Sequence, residues 1–200
     1  MTGMASRAFE AWNNARAVRL DRLEAAHVAF AGEGRGRRWE TEELNHAIVL
    51  RLAAEFQGFC RDLHDECILI LVRGMGLPAG RLEDIVLLEF SASRRLDSGN
   101  ASPGGIGTDF ARLGMTLWPD IKRHYAARGP QWNERLEILN TARNGIAHDD
   151  QAKLAEVRSR GWPLTLPSAR RLRRSLDGLA KGMDTVCRDH LASLLKMAPW

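Results

Sequence analysis

TEELNHAIVLRLAAEFQGFCRDLHDECILILV, residues 41–72, decides the fold of this chain. Leu44, Ile48, Leu52, Phe56, Phe59, Leu63, Cys67 and Ile70 recur at spacings of three or four. That spacing winds them onto one stripe of an α-helix roughly seven to eight turns long. Thr41 stands where a capping side chain belongs, and Glu42 and Glu43 fall in the first turn, where the positive end of the helix dipole favours acids. At the other end Ile68-Leu69-Ile70-Leu71-Val72 is apolar all round, which predicts burial on most sides. So long an apolar stripe must be covered by other helices, because no segment of the chain alternates apolar and polar residues as a half-buried strand does.

The flanking sequence supplies those helices. Residues 5–31 carry Phe9, Trp12, Leu20, Leu23 and Phe30 at helical spacing, and Gly32-Glu33-Gly34-Arg35-Gly36 ends that element. Gly74-Met75-Gly76-Leu77-Pro78-Ala79-Gly80 is a connector. Its glycines do not make a phosphate loop, since no strand precedes them and no Lys-Ser/Thr follows. Residues 81–96 read as a helix with Leu82, Ile85, Leu88 and Leu96 on one side. Residues 97–107, with four glycines and Pro103, read as a flexible surface loop. Short helical pieces follow at 108–114 and 119–128, with Pro119 suited to a first helical position. A helix from about Gln131 to His148 has Trp132, Leu136, Leu139 and Ile146 on its apolar side, and Glu137, Asn140 or Thr141, Asn144 and His148 on its polar side. After Gly161-Trp162-Pro163, Ser168 caps a last helix whose stripe is Leu172, Leu176, Leu179, Met183, Val186, His190 and Leu194. Two hundred residues without an evident repeat or linker predict one all-α domain over 1–200.

The chemistry concentrates in Arg143-Asn144-Gly145-Ile146-Ala147-His148, at the end of a helix. Asn144 and His148 are four apart and share a face, and the guanidinium of Arg143 reaches toward the same place. An imidazole moves protons near neutral pH, and a fixed cation steadies charge on a phosphorus-centred transition state. The plain structural alternative is a helix C-terminus where Arg143 makes an ion pair and His148 favours the negative dipole end. Gly145 costs a helix about 1 kcal/mol relative to Ala, so it marks either a close approach or the final turn. Asp149 and Asp150 either raise the pKa of His148 or are solvated loop residues.

This R-N-x-x-x-H hexamer resembles the signature of the HEPN superfamily, all-helical domains of which many are metal-independent endoribonucleases. The likeness extends over about residues 40–195. The helix containing Glu55-Phe56-Gln57-Gly58-Phe59-Cys60-Arg61-Asp62-Leu63-His64 looks like the family's long second helix, Leu136 to Asp150 like its motif helix, and Ser168 to Leu195 like its closing helix. The resemblance implies a HEPN-like bundle of two long core helices, the motif helix and a long closing helix. It also implies a homodimer whose composite active site pairs two motifs across a two-fold axis. His148 would serve the 2′-hydroxyl or the 5′-oxygen, leaving a 2′,3′-cyclic phosphate. Arg143 would hold the phosphate and steady the transition state, and Asn144 would orient His148 or the scissile phosphate. Glu55 is a candidate to orient Arg143, its alternative being a local pair with Arg51 one turn earlier. Toxin, phage-defence or stress-response settings follow from the same resemblance, as does an antitoxin partner, often nucleotidyltransferase-like. The runner-up is a non-catalytic HEPN-like module that binds RNA or a protein.

Charge fits a polyanionic partner. The net charge is +4, and Gln151 to Arg174 holds seven basic residues against the single acid Glu156. Arg158, Arg160, Arg170, Arg171, Arg173 and Arg174 are the candidate RNA-binding residues, with Arg35, Arg37 and Arg38 as a second cluster; a solvated helix face is the alternative. Trp39, Trp118, Trp162 and Trp200 lie near breaks, where partial exposure would let them stack on bases. Cys60, Cys67 and Cys187 sit in apolar helical patterns and read as reduced core thiols. Cys60, His64 and Cys67 share a face, but no fourth zinc ligand is evident, so neither metal nor cofactor is expected. The chain lacks an apolar run long enough for a membrane span and a signal-peptide pattern at its start, which makes the cytoplasm the expected location.

Overall fold

The long apolar stripe becomes the spine of an all-helical bundle. The computed structural model describes residues 5–31, 39–78 and 80–200, with the side chains of 31, 39 and 40 excepted. The glycine break at 32–36, the Arg35, Arg37 and Arg38 cluster and the Trp39 side chain lie outside that description. In chain order the helices are α1 (Arg7–Ala11), a π-turn (Trp12–Arg16), α2 (Ala17–Ala31), α3 (Trp39–Gly74), α4 (Arg81–Ser91), α5 (Arg95–Ser98), α6 (Pro103–Ala111), α7 (Leu117–His124), α8 (Gly129–Ala147), α9 (Gln151–Ser159) and α10 (Leu166–Leu195). No strand occurs among the described residues.

α3 already runs from Trp39, so Thr41 lies inside the helix and does not cap it. Its stripe from Ile48 to Cys67 is buried as expected, and one core cluster extends from Ala8 on α1 to Leu191 on α10. α3 packs on α10, α8 and the N-terminal helices. Cys60, Cys67 and Cys187 are free, buried thiols. Burial pushes Cys60 and Cys187 well up in pKa, which keeps both thiols protonated.

Several elements depart from expectation for local reasons. The stretch expected as a flexible loop contains the end of α5 and the first half of α6. Ser102 caps α6 by accepting from Gly105 N at 3.1 Å, Pro103 occupies its first turn, and Ile106 is fully buried. A Cβ on Gly107 would stand 3.1 Å from the Trp118 indole, so this helix uses glycine for close packing. Asp109 of α6 then accepts from Arg95 N and Leu96 N, fixing the first turn of α5. α10 starts before Ser168: Thr165 is its cap and accepts from Ser168 N. Of its expected stripe, Leu194 is exposed, and Leu191 is buried instead. Gly178 and Gly182, one turn apart on α10, make a seat for the Trp132 indole of α8. On α2, Phe30 is exposed.

Candidate functional site

The hexamer occupies the last turns of α8, and the chain turns sharply just beyond it. His148 is the C-cap, with φ −115°. Asp149 takes the left-handed conformation at φ 50°, which Asp tolerates better than most residues. Asp150 N then donates to Gly145 O at 2.8 Å and Asp149 N to Ile146 O at 3.4 Å. These two bonds form a Schellman cap, which satisfies carbonyls the helix would otherwise leave open. Asp150 also caps α9, accepting from Ala152 N and Lys153 N at 3.1 Å each. The hydrogen bond from the Lys153 ammonium, with those from the two backbone N–H groups, holds its carboxyl below the usual range. The two aspartates therefore build the corner between α8 and α9. Gly145 lies under that corner: a Cβ there would come within 2.5 Å of Leu154 Cδ2, so it is a packing glycine.

The corner leaves His148 exposed, with no hydrogen bond or ion pair to its ring among the described residues. One turn back, Asn144 Oδ1 accepts from Asn100 Nδ2 at 2.6 Å and from Arg143 Nη1 at 3.1 Å. The acceptor end of this carboxamide is thus used. Its donor end has no partner among the described residues. Asn140 donates to Ala101 O at 3.0 Å, so two asparagines of α8 hold the 99–101 loop. From the other side Gln57 of α3 donates to Leu96 O and Gly99 O, and Arg61 donates to Leu96 O. The long helix reaches the motif through this loop.

Glu55 takes other partners. Its carboxylate meets Arg16 at 2.8 Å, Arg19 at 2.6 Å and Arg51 at 2.7 Å, while the hydrogen bond of Arg143 goes to Asn144. Burial alone would raise this carboxyl. Hydrogen bonds from Arg19 and Arg16, with the charges of Arg19 and Arg51, outweigh burial and hold it at about 2. Asp62 shares the face of Glu55 as its spacing requires, and both meet Arg16. The sequence showed the shared face and the Arg51 pair; Arg16 comes from the π-turn and Arg19 from α2, 39 and 36 residues away in the chain.

The basic stretch does not form one patch. Arg170 and Arg173 turn toward α2, where they pair with Glu24 at 2.9 and 3.0 Å, and Arg173 also with Asp21 at 2.6 Å. Arg160 lies near Glu156 and Glu134. Arg158 lines a separate hollow with Thr41 and Asn45. Arg171 and Arg174 face α8, beside Arg128 and Arg135. Those last two, the N-cap of α8 and a residue two turns further on, went unnoticed in the sequence. Of the tryptophans near breaks, Trp162 is buried and Trp118 and Trp200 are partly buried.

His64 cannot serve a metal as it stands. Its Nε2 is 3.1 Å from Asp109 O and its Nδ1 is 3.4 Å from Arg94 Nη1, so both ring nitrogens are engaged. Burial, more than the nearby Arg94 charge, lowers its pKa and keeps it neutral. No group of His, Cys, Asp and Glu among the described residues is arranged to hold a metal ion. No helix among them is long and apolar enough to cross a membrane. No family model, curated protein or solved structure matches the chain.

Proposed function

We propose that the protein is a metal-independent endoribonuclease of HEPN type, working as a homodimer. The end of α8 carries this reading. It presents an unpartnered imidazole one turn from a carboxamide with its donor end open, beside a guanidinium. His148 takes the proton of a ribose 2′-hydroxyl. The 2′-oxygen bonds to the adjacent phosphorus, the bond from phosphorus to the 5′-oxygen breaks, and that oxygen is protonated as it leaves. One imidazole cannot be base and acid in the same step, so a second copy supplies the acid. The products are a 2′,3′-cyclic phosphate and a 5′-hydroxyl end. Arg143 donates to the non-bridging oxygens. Two Arg143 side chains facing each other across a two-fold axis repel, which makes an anion between them favourable.

One observation favours the runner-up. Asn144 already has a structural duty, holding Asn100, as it would in a non-catalytic module that binds RNA or a protein partner such as an antitoxin. The discriminating experiment is RNA cleavage in chelator by wild type beside His148→Ala. The expected result is cleavage with cyclic-phosphate ends by wild type, reduced about 10²–10⁴-fold in the variant. Equal cleavage by both proteins sinks the assignment. A folded, dimeric wild type that binds RNA without cutting it moves the reading to the binding module.

A further inference from the structure

A hollow lies toward the other end of α8, where Arg135 stands eight positions, or about 12 Å of helix rise, before Arg143. It has a volume of about 370 Å³ and is open to solvent. Arg128 borders it from the N-cap of α8 and Arg135 from the second turn of that helix, Arg171 and Arg174 from α10, and Trp162 from the connector between α9 and α10. No acidic residue lines it among the described residues.

The arginines are arranged in two ways. Arg135 and Arg171 lie over the Trp162 ring, their guanidinium carbons 5.3 and 4.3 Å from its centre. Each is also anchored to a backbone carbonyl, Arg135 to Gln131 and Arg171 to Gly161, both at 3.2 Å. Stacking and anchoring hold these two forks while leaving further N–H groups of each unused. Arg128 and Arg174 are exposed and have no ion-pair partner among the described residues. On the neighbouring face of the same helix, Arg170 and Arg173 are neutralised by Glu24 and Asp21. Among the described residues the fold therefore supplies acids to the arginines that turn toward α2 and none to those that turn toward α8. Four unneutralised cations around one hollow repel each other, and an anion relieves that repulsion.

We infer that this hollow binds consecutive phosphoryl groups, from a nucleic-acid strand or from the polyphosphate chain of a free nucleotide. Guanidinium forks match phosphate oxygens in pairs, and four forks exceed what one phosphoryl group can use. The hollow reads charge and spacing without reading bases. Trp162 is only 9% exposed beneath the guanidiniums, so its ring is no stacking platform. The strand form of the inference rests on the proposed RNA-directed function, cleaving or binding, and would make the hollow a backbone clamp along α8 from the motif. The free-nucleotide form does not depend on it.

The test compares wild type, Arg128→Gln/Arg174→Gln, and Arg73→Gln/Arg81→Gln, which removes two exposed charges elsewhere. The probes are a short single-stranded 2′-O-methyl oligoribonucleotide, which lacks the attacking hydroxyl and cannot be cut, and inorganic tripolyphosphate. The first pair is expected to weaken at least one probe tenfold or more, and the second pair to leave both within about twofold. Loss confined to the oligonucleotide assigns the site to a strand; its salt dependence then flattens by about 1.4 in log–log slope, at about 0.7 per phosphate contact. Loss confined to tripolyphosphate assigns it to a free nucleotide. Wild type that binds neither probe, binding unchanged in the first pair, or equal losses in both pairs overturns the inference. Because neither probe can be cleaved, a wild type that fails to cut RNA yet shows the expected loss keeps this site and removes only the ribonuclease reading.

Discussion

Asn144 divides its carboxamide between fold and site. The oxygen is held by Asn100 and Arg143, and the nitrogen points to no partner among the described residues. The two halves are separable by substitution. Asn144→Asp keeps an acceptor for Asn100 and deletes the donor, so thermal melts should stay close to wild type while RNA cleavage falls. Asn144→Ala deletes both and should also lose about 1 kcal/mol of stability, the usual net worth of such a bond. An Asn144→Asp protein that cleaves like wild type would remove Asn144 from the chemistry. The spacing of Arg143, Asn144 and His148 was legible in the sequence because i, i+4 geometry is local. The partner Asn100 was not, because a contact across 44 residues leaves no local signature.

At the scale of the element, α4 shows how periodicity alone underdetermines a face. Leu82, Ile85 and Leu88 recur at helical spacing, and so do Val86, Leu87 and Phe90. The first set faces out at 51, 53 and 67% exposure, and the second packs on the core. Leu88→Lys should therefore change unfolding free energy by less than about 0.5 kcal/mol. Phe90→Ala should cost about 2 kcal/mol, less than the 3–5 typical of a fully buried Phe. The reverse order in urea titrations would mean that the outer stripe is covered in solution. The basic stretch of α10 obeys the same logic. Arg170 and Arg173 turn one way, Arg171 and Arg174 another, and only the neighbours α2 and α8 decide which pair meets acids.

Across the whole molecule, Glu55 fastens the N-terminal helices to the spine. It joins Arg16 and Arg19, at the start of the chain, to α3. The π-turn sets this up: Asn14 Nδ2 bonds Glu10 O, and Arg16, the last residue of the turn, reaches both Glu55 and Asp62 across Gly58, where any Cβ would strike the guanidinium. The carboxyl sits at about 2 when folded and at about 4.3 when unfolded. Its contribution to stability is thus complete above the unfolded value and disappears as pH falls through the folded one. Wild type should melt higher than Glu55→Gln at pH 6, and the gap should close as pH falls from about 4.3 to about 2. A gap that stays constant over that range would show that the carboxylate charge is not what stabilises the cluster.

Local pattern was enough for the all-helical class, the α3 stripe, the free core thiols and the place of the hexamer at a helix end. Each follows from interactions within about one turn or from the demand that apolar stripes be buried. Helix packing settled that Glu55 serves Arg16, Arg19 and Arg51, that Asn144 holds a loop, that a glycine-rich stretch is a packed helix, and that four arginines from α8, its cap and α10 share one hollow. Those outcomes depend on which helices pack together, and a long-range contact appears in a sequence only as two unrelated residues.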